Sequence, residues 1–173
     1  MKSFLELSKE RYSVRGFTNQ PVEKEKIDAI IEAGQVAPTA VNNQPVKIWV
    51  IESEEAKKVI DNAHPFNWAK DAPVTLVVGA NKDQAWVRQQ DDYNFADIDA
   101  SIVATHMMLE IVDQGLGSTW CGHFDPKILK EAFPQMKDYN LVAMFPIGYI
   151  ASDIKPNPRH TQYKTKEEMV ETL

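Results

Sequence analysis

The chain has 173 residues, of which 43% are hydrophobic, 9% aromatic and 25% charged, the profile of one globular domain and not of a disordered, collagenous or disulfide-built chain. Nineteen basic against 25 acidic residues leave a net charge of −6, which argues against non-specific nucleic-acid binding but not against a small anion held by a few local arginines. The one cysteine, Cys121, has no partner for an internal disulfide or a cysteine zinc site, which fits a reducing compartment.

Met1–Glu6 lacks the apolar run of a signal peptide. The most apolar stretch, Ala100–Val112, is too short to span a membrane and contains His106 and Glu110. The expectation is a cytoplasmic protein without a membrane partner, folding as a single domain over residues 1–173, with a polar tail over about 152–173. A short helix is expected within residues 3–12, an extended segment over Ser13–Phe17 and a turn at Asn19-Gln20-Pro21. From Glu23, the residues Ile27, Ile30, Ile31 and Gly34 recur with helical spacing and predict an amphipathic helix that ends before Pro38. Val46–Ile51 reads as a strand, and Ser53 as the cap of a helix with Glu54 and Glu55 in its first turn. Pro73–Gly79 reads as a second strand, buried on both faces.

Residues 93–114 predict the longest helix. Ile98, Ile102, Thr105, Leu109 and Val112 form one stripe, and Val103, Met107 and Ile111 widen it, so the helix is expected to be buried on most sides by the sheet and a second subunit. Gly115 closes that helix. Asp125 or Pro126 opens another that ends near Phe133, and Leu141–Ile150 reads as a third strand, placed at an edge or a bulge by Pro146. The polar tail is expected to be disordered or strapped onto another subunit. Alternating strands and helices indicate an α/β or α+β class.

Three clusters could carry chemistry. Arg11, Ser13 and Arg15 alternate along an extended segment, which would align two guanidinium groups and a hydroxyl about 6–7 Å apart, a donor set suited to phosphate. The alternative is a solvated face with surface salt bridges. Ala37-Pro38-Thr39-Ala40-Val41-Asn42-Asn43-Gln44-Pro45 is proline-bracketed and rich in amides that suit the polar edge of a heterocycle, or it is a well-made turn. Gly115-Leu116-Gly117-Ser118-Thr119-Trp120-Cys121-Gly122 is neither a dinucleotide fingerprint nor a nucleotide phosphate loop. Its glycines permit close approach to a planar ligand, or it is a helix terminator followed by a buried tryptophan.

His64, His106, His123 and His160 lack metal-site spacing, so no metal is expected, and His106 reads as a core histidine. Cys121 reads as a small packing residue. Asp91, Asp92, Asp97 and Asp99 lack the glycine and terminal glutamate of a calcium loop and read as a solvated helix start.

Taken in order along nearly the whole chain, Arg11-Tyr12-Ser13-Val14-Arg15, Pro38-Thr39-x-x-Asn42-x-Gln44-Pro45, the long helix running into Gly115-Leu116-Gly117-x-x-Trp120, Ile147-Gly148-Tyr149 and Arg159 resemble the nitroreductase family of FMN-dependent oxidoreductases. The resemblance implies an α+β sandwich with a mainly antiparallel central sheet flanked by helices. It also implies an obligate homodimer with an exchanged C-terminal tail and non-covalently bound FMN at the interface. Arg11, Tyr12, Ser13, Arg15 and Arg159 would hold the phosphate end and the nearby flavin. Pro38, Thr39, Asn42 and Gln44 would approach the same FMN from the other subunit, and Trp120, Cys121 and Gly122 would lie against the ring. NAD(P)H would be the electron donor and a nitroaromatic, quinone or similar small molecule the acceptor, in ping-pong turnover with no side-chain catalyst. A same-fold dehalogenase or flavin-modifying enzyme, a non-catalytic FMN-binding or sensing protein, and an unrelated α/β interaction domain stay open at this stage. Thr39, Val46 and Ile150 depart from the usual serine, aromatic and proline, and residues 80–92 leave little room for a substrate-covering excursion.

Overall fold

Short apolar runs bounded by turn residues become the strands of the computed structural model, which describes residues 3–173. β1 (Val46–Ile51) pairs antiparallel with β2 (Val74–Ala80), from Val46 opposite Ala80 to Ile51 opposite Thr75. β3 (Val87–Arg88) and β4 (Tyr93–Asn94) form a separate hairpin. β5 (Gly117–Ser118) and β6 (Asn140–Gly148) complete a four-stranded antiparallel sheet of order β1-β2-β6-β5.

The helices are α1 (Phe4–Glu10), α2 (Lys24–Gln35), α3 (Glu54–Ala63), α4 (Ala96–Asp113), α5 (Pro126–Ala132) and the short α6 (Lys166–Met169). Ser53 caps α3 by accepting from the Ala56 N–H at 3.2 Å, and Asp125 caps α5 by accepting from the Lys127 N–H at 2.9 Å. Gly115 follows α4 at φ +74°, a left-handed conformation that glycine adopts without strain.

The inner strands alternate their side chains between two cores. Leu76, Val78 and Ala80 of β2 and Ala143, Phe145 and Ile147 of β6 pack against Ile27 and Ile30 of α2 and Val103, Met107 and Ile111 of α4. On the opposite face Val77, Leu141 and Met144 meet Ile60, Ala63, Leu129 and Met136. The result is a three-layer α+β sandwich. An extra residue, Val142, interrupts the register at the Val78–Gly79 step and lets Leu141 share the face of Met144.

Four expectations need correction. Tyr93 and Asn94 belong to β4, so the long helix begins only at Ala96. Its buried stripe is Asp99, Ala100, Val103, Ala104, Met107 and Ile111, whereas Ile98 and Ile102 are half-buried and Thr105 and His106 are exposed. Asp99, which reads as solvated in the sequence, is 1% exposed. Pro146 lies in an inner strand, opposite Thr75, and the bulge is elsewhere. The N–H and C=O of Met144 both serve Cys121 on the β5 side. Two residues on, the Pro146 nitrogen faces the same side, opposite Thr119, and the pairing is interrupted there, between the Ser118–Ile147 pair and the Cys121–Met144 bridge.

Candidate functional site

α1 ends at Glu10, and the chain then runs extended into a one-residue bridge between Ser13 and Ser118. The Val14 N–H donates to the Ser118 carbonyl at 3.0 Å, and the Thr119 hydroxyl donates to the Val14 carbonyl. Val14 itself is buried with Phe17 and Ala72. This anchoring lets the neighbouring Arg11, Ser13 and Arg15 reach outward by strand alternation. They line a cleft of about 510 Å³ together with Tyr12 and with Asn157, Arg159, His160, Gln162 and Tyr163 from the tail. The tail is positioned by the Asn157 side chain, which accepts from the Arg159 N–H at 2.9 Å. His160 also lies 2.9 Å, through Nε2, from the Lys9 carbonyl.

The cleft wall contains three guanidinium groups and no carboxylate. Among the described residues no ion pair engages Arg11, Arg15 or Arg159. Guanidinium groups without a protein counter-ion, beside a hydroxyl and a phenol, are a donor set for a phosphate monoester. The residues present therefore fit the phosphate end of FMN. The tail residues Asn157, His160, Gln162 and Tyr163 are not identifiable from the sequence pattern. Only the concentration of polar and basic groups around Arg159 points to them.

The Gly115–Gly122 loop runs beside this segment. A Cβ on Gly117 would stand 2.8 Å from Val14 and Ile150 side-chain atoms, so the contact between the loop and the arginine segment requires glycine there. Trp120 packs edge-on against Phe145, with ring centroids 5.3 Å apart. Cys121 is 5% exposed and exchanges backbone hydrogen bonds with Met144 at 2.9 and 3.0 Å. Burial pushes its thiol up to about 12, against a weaker pull downward from Arg15, so the sulfur stays protonated. Gly122 is exposed and a Cβ placed on it would meet nothing within 4 Å, as holds for Gly115 at the other end of the loop, so beside Trp120 and Cys121 it is Gly122 that is open.

The Pro38–Gln44 segment stands elsewhere. Thr39 and Gln44 line a second cleft of about 390 Å³ with residues of α2 and β1, and none of its lining residues is shared with the arginine cleft. Within one chain the first and third clusters are thus brought together and the second is not. The segment is conformationally unusual: Val41, Asn42 and Gln44 have φ of 46°, 59° and 51°. The Gln44 N–H donates to the Thr39 hydroxyl at 3.0 Å, the Gln44 side-chain amide to Asn42 Oδ1 at 3.0 Å, and the Asn43 amide to the Gln84 carbonyl at 3.3 Å.

An aromatic group behind the arginine segment also escapes a reading of the sequence. Arg15 lies 5.9 Å from the Trp68 ring centroid, and Trp68 meets His64 edge-on at 5.4 Å. His64 is buried, and burial holds its pKa below the usual histidine value although the Phe66 backbone pulls the other way. Among the described residues no cluster of three metal-ligating side chains occurs, and no helix is long and apolar enough to cross a membrane.

Comparison with known proteins adds to this geometry. The family model described as Nitroreductase matches residues 8–65 and 59–149. A nitroreductase family protein from Clostridium difficile 630 is 34% identical and superposes with a TM-score of 0.89, covering 99% of this chain and 100% of that one. A provisionally named NADH dehydrogenase/NAD(P)H nitroreductase from Methanothermobacter thermautotrophicus is 27% identical over 159 residues, 86% of this chain and 78% of that protein. A provisionally named nitroreductase from Exiguobacterium sibiricum 255-15, solved in complex with FMN, shares the fold at a TM-score of 0.84 and 21% identity, covering 100% of this chain and 98% of that one.

Proposed function

The chain belongs to the nitroreductase family, and from that premise we propose that it is an FMN-dependent NAD(P)H oxidoreductase acting, as a homodimer, on small-molecule acceptors such as nitroaromatics or quinones. When bound, FMN supplies the redox chemistry, taking a hydride equivalent from NAD(P)H and passing electrons to the acceptor in ping-pong turnover. Arg11, Tyr12, Ser13 and Arg159 bind and neutralise the phosphate. Arg15, next to Trp68, carries a fixed positive charge toward the flavin, where added electron density needs a counter-charge. Gly122 and its neighbours Trp120 and Cys121 form a wall for the ring. The loop bearing Pro38, Thr39, Asn42 and Gln44 serves the flavin of the opposite protomer.

Two features support the dimer reading. The Pro38–Gln44 loop and the arginine cleft are separate within one chain. An open groove of about 500 Å³ runs along α4 between Ile98, Ser101, Ile102, Thr105 and His106, apolar surface suited to a second copy. No acid, base or nucleophile is required of a side chain, and the protonated Cys121 thiol is consistent with that.

The observation that carries the proposal is the meeting of Arg11, Arg15 and Arg159 in a cleft without a carboxylate. The test is the visible spectrum and solution size of freshly purified protein, followed by stopped-flow mixing with NAD(P)H. A yellow dimer whose flavin band bleaches before any acceptor is added is the expected result. A colourless monomer that takes up no added FMN overturns it.

A further inference from the structure

Asp99 is a carboxylate where the packing pattern asks for an apolar residue. It stands four residues before Val103 on the buried stripe of α4 that continues to Met107 and Ile111. It is 1% exposed, and its Oδ2 atom has no hydrogen-bond partner. Such a group is costly in a core unless it does something an aliphatic side chain cannot. Among the described residues its side chain has one partner: Oδ1 accepts from the Ala40 N–H at 2.8 Å. The first turn of an 18-residue helix favours the negative charge there.

Ala40 is the residue at which the chain leaves the extended Thr39 and enters the turn containing Val41, Asn42 and Gln44, all with positive φ. Left-handed backbone at three non-glycine residues, one of them β-branched, persists only where the surroundings enforce it. The hydrogen bonds inside the turn join Thr39, Asn42 and Gln44 to one another, so they fix its internal shape but not its place on the body of the protein. The Asn43 amide ties it to Gln84, itself in a connection. Asp99 ties it to the core.

We propose that Asp99 is a positioning residue for the flavin site: through the Ala40 N–H it fixes the strained loop that presents Thr39, Asn42 and Gln44 to FMN. This rests on the reading of that loop as an FMN-facing element. It assigns a binding role to a residue that does not itself touch the cofactor.

The test compares equilibrium FMN titrations of the wild-type apoprotein and three single variants, with thermal unfolding of each apoprotein alongside. Asp99→Ala removes the acceptor and is expected to weaken FMN binding about tenfold or more. Asp99→Asn retains an oxygen acceptor and is expected to restore most of that loss. Ala40→Pro removes the donor from the other side while Asp99 keeps its place in the core, and Thr39 already has the extended φ of −130° and ψ of 159° that suits a residue before proline. It is expected to reproduce the loss, and it carries the test if Asp99→Ala does not fold. A purely structural carboxylate would instead lower the unfolding temperature while the folded variants bound FMN within about twofold of wild type, and that result overturns the proposal. So does an Asp99→Asn variant as weak as Asp99→Ala. Failure of the wild-type protein to bind FMN at all would show that the underlying reading, not the role of Asp99, is wrong.

Discussion

The arginine cleft and the Thr39–Gln44 loop are built on opposite principles. The cleft works through charge: Arg11, Arg15 and Arg159 converge without an ion pair among the described residues, on backbone whose φ values are ordinary. The loop works through shape: it contributes neutral amides and a hydroxyl, and its backbone is held in left-handed conformations by a set of hydrogen bonds. Charge tolerates some misplacement because it acts over several ångströms. A hydrogen-bonded loop does not, since its donors lose their value within a fraction of an ångström.

The contrast is broken most forcefully on the charged side. Arg11→Ala with Arg15→Ala is expected to weaken FMN binding about 100-fold and to give a colourless protein, read from the visible spectrum and an FMN titration. Full flavin absorbance in the double variant would remove the cleft from the phosphate assignment. On the loop side Thr39→Val deletes the acceptor of the Gln44 N–H. It is expected to cost about 1 kcal/mol in a urea titration, with a smaller loss of FMN affinity than the arginine pair. Val41, exposed and at φ 46°, gives the complementary test. Val41→Asn is expected to raise stability by about 0.5–1 kcal/mol, because asparagine accepts the left-handed region more readily than a β-branched side chain.

The smallest effect lies behind the arginines. His64 is buried with its pKa depressed, so as pH falls below 6.5 the unfolded chain takes the proton before the folded one. Stability is therefore lost as pH falls from 6.5 through the lower folded-state value. His64→Phe, which keeps an aromatic ring against Phe66 and Trp68, is expected to flatten thermal stability against pH in that window.

What is legible in the sequence follows the same division. β1, the capped start of α3 and the fully buried β2 are local patterns, and each forms where its periodicity and flanking residues put it. The alternation of Arg11, Ser13 and Arg15 is equally local, and the cleft follows from it. The faces of α4 are not legible in this way, because it is apolar on two sides. The Ile98 and Ile102 stripe and the Val103 and Met107 stripe are equivalent until the sheet chooses between them. Asp99 is misread when it is grouped with three neighbouring aspartates, although its four-residue step to Val103 is there to be seen. The β3–β4 hairpin has two-residue strands in polar sequence, too short for any alternation to show. Pro146 is misplaced because an inner strand tolerates it at a break in its pairing, opposite Thr119, and that break is set by a different segment.

Arg159 has a consequence in the order of synthesis. It is encoded after β6, so every strand of the sheet has been polymerised before the third cation of the cleft exists. A chain ending at residue 150 would keep the residues of both hydrophobic layers while lacking Arg159 and with it one wall of the cleft. The layers of the fold and the last cation of the cleft are thus encoded in separate stretches of the chain, so losing the tail would open the cleft without removing a residue from either layer.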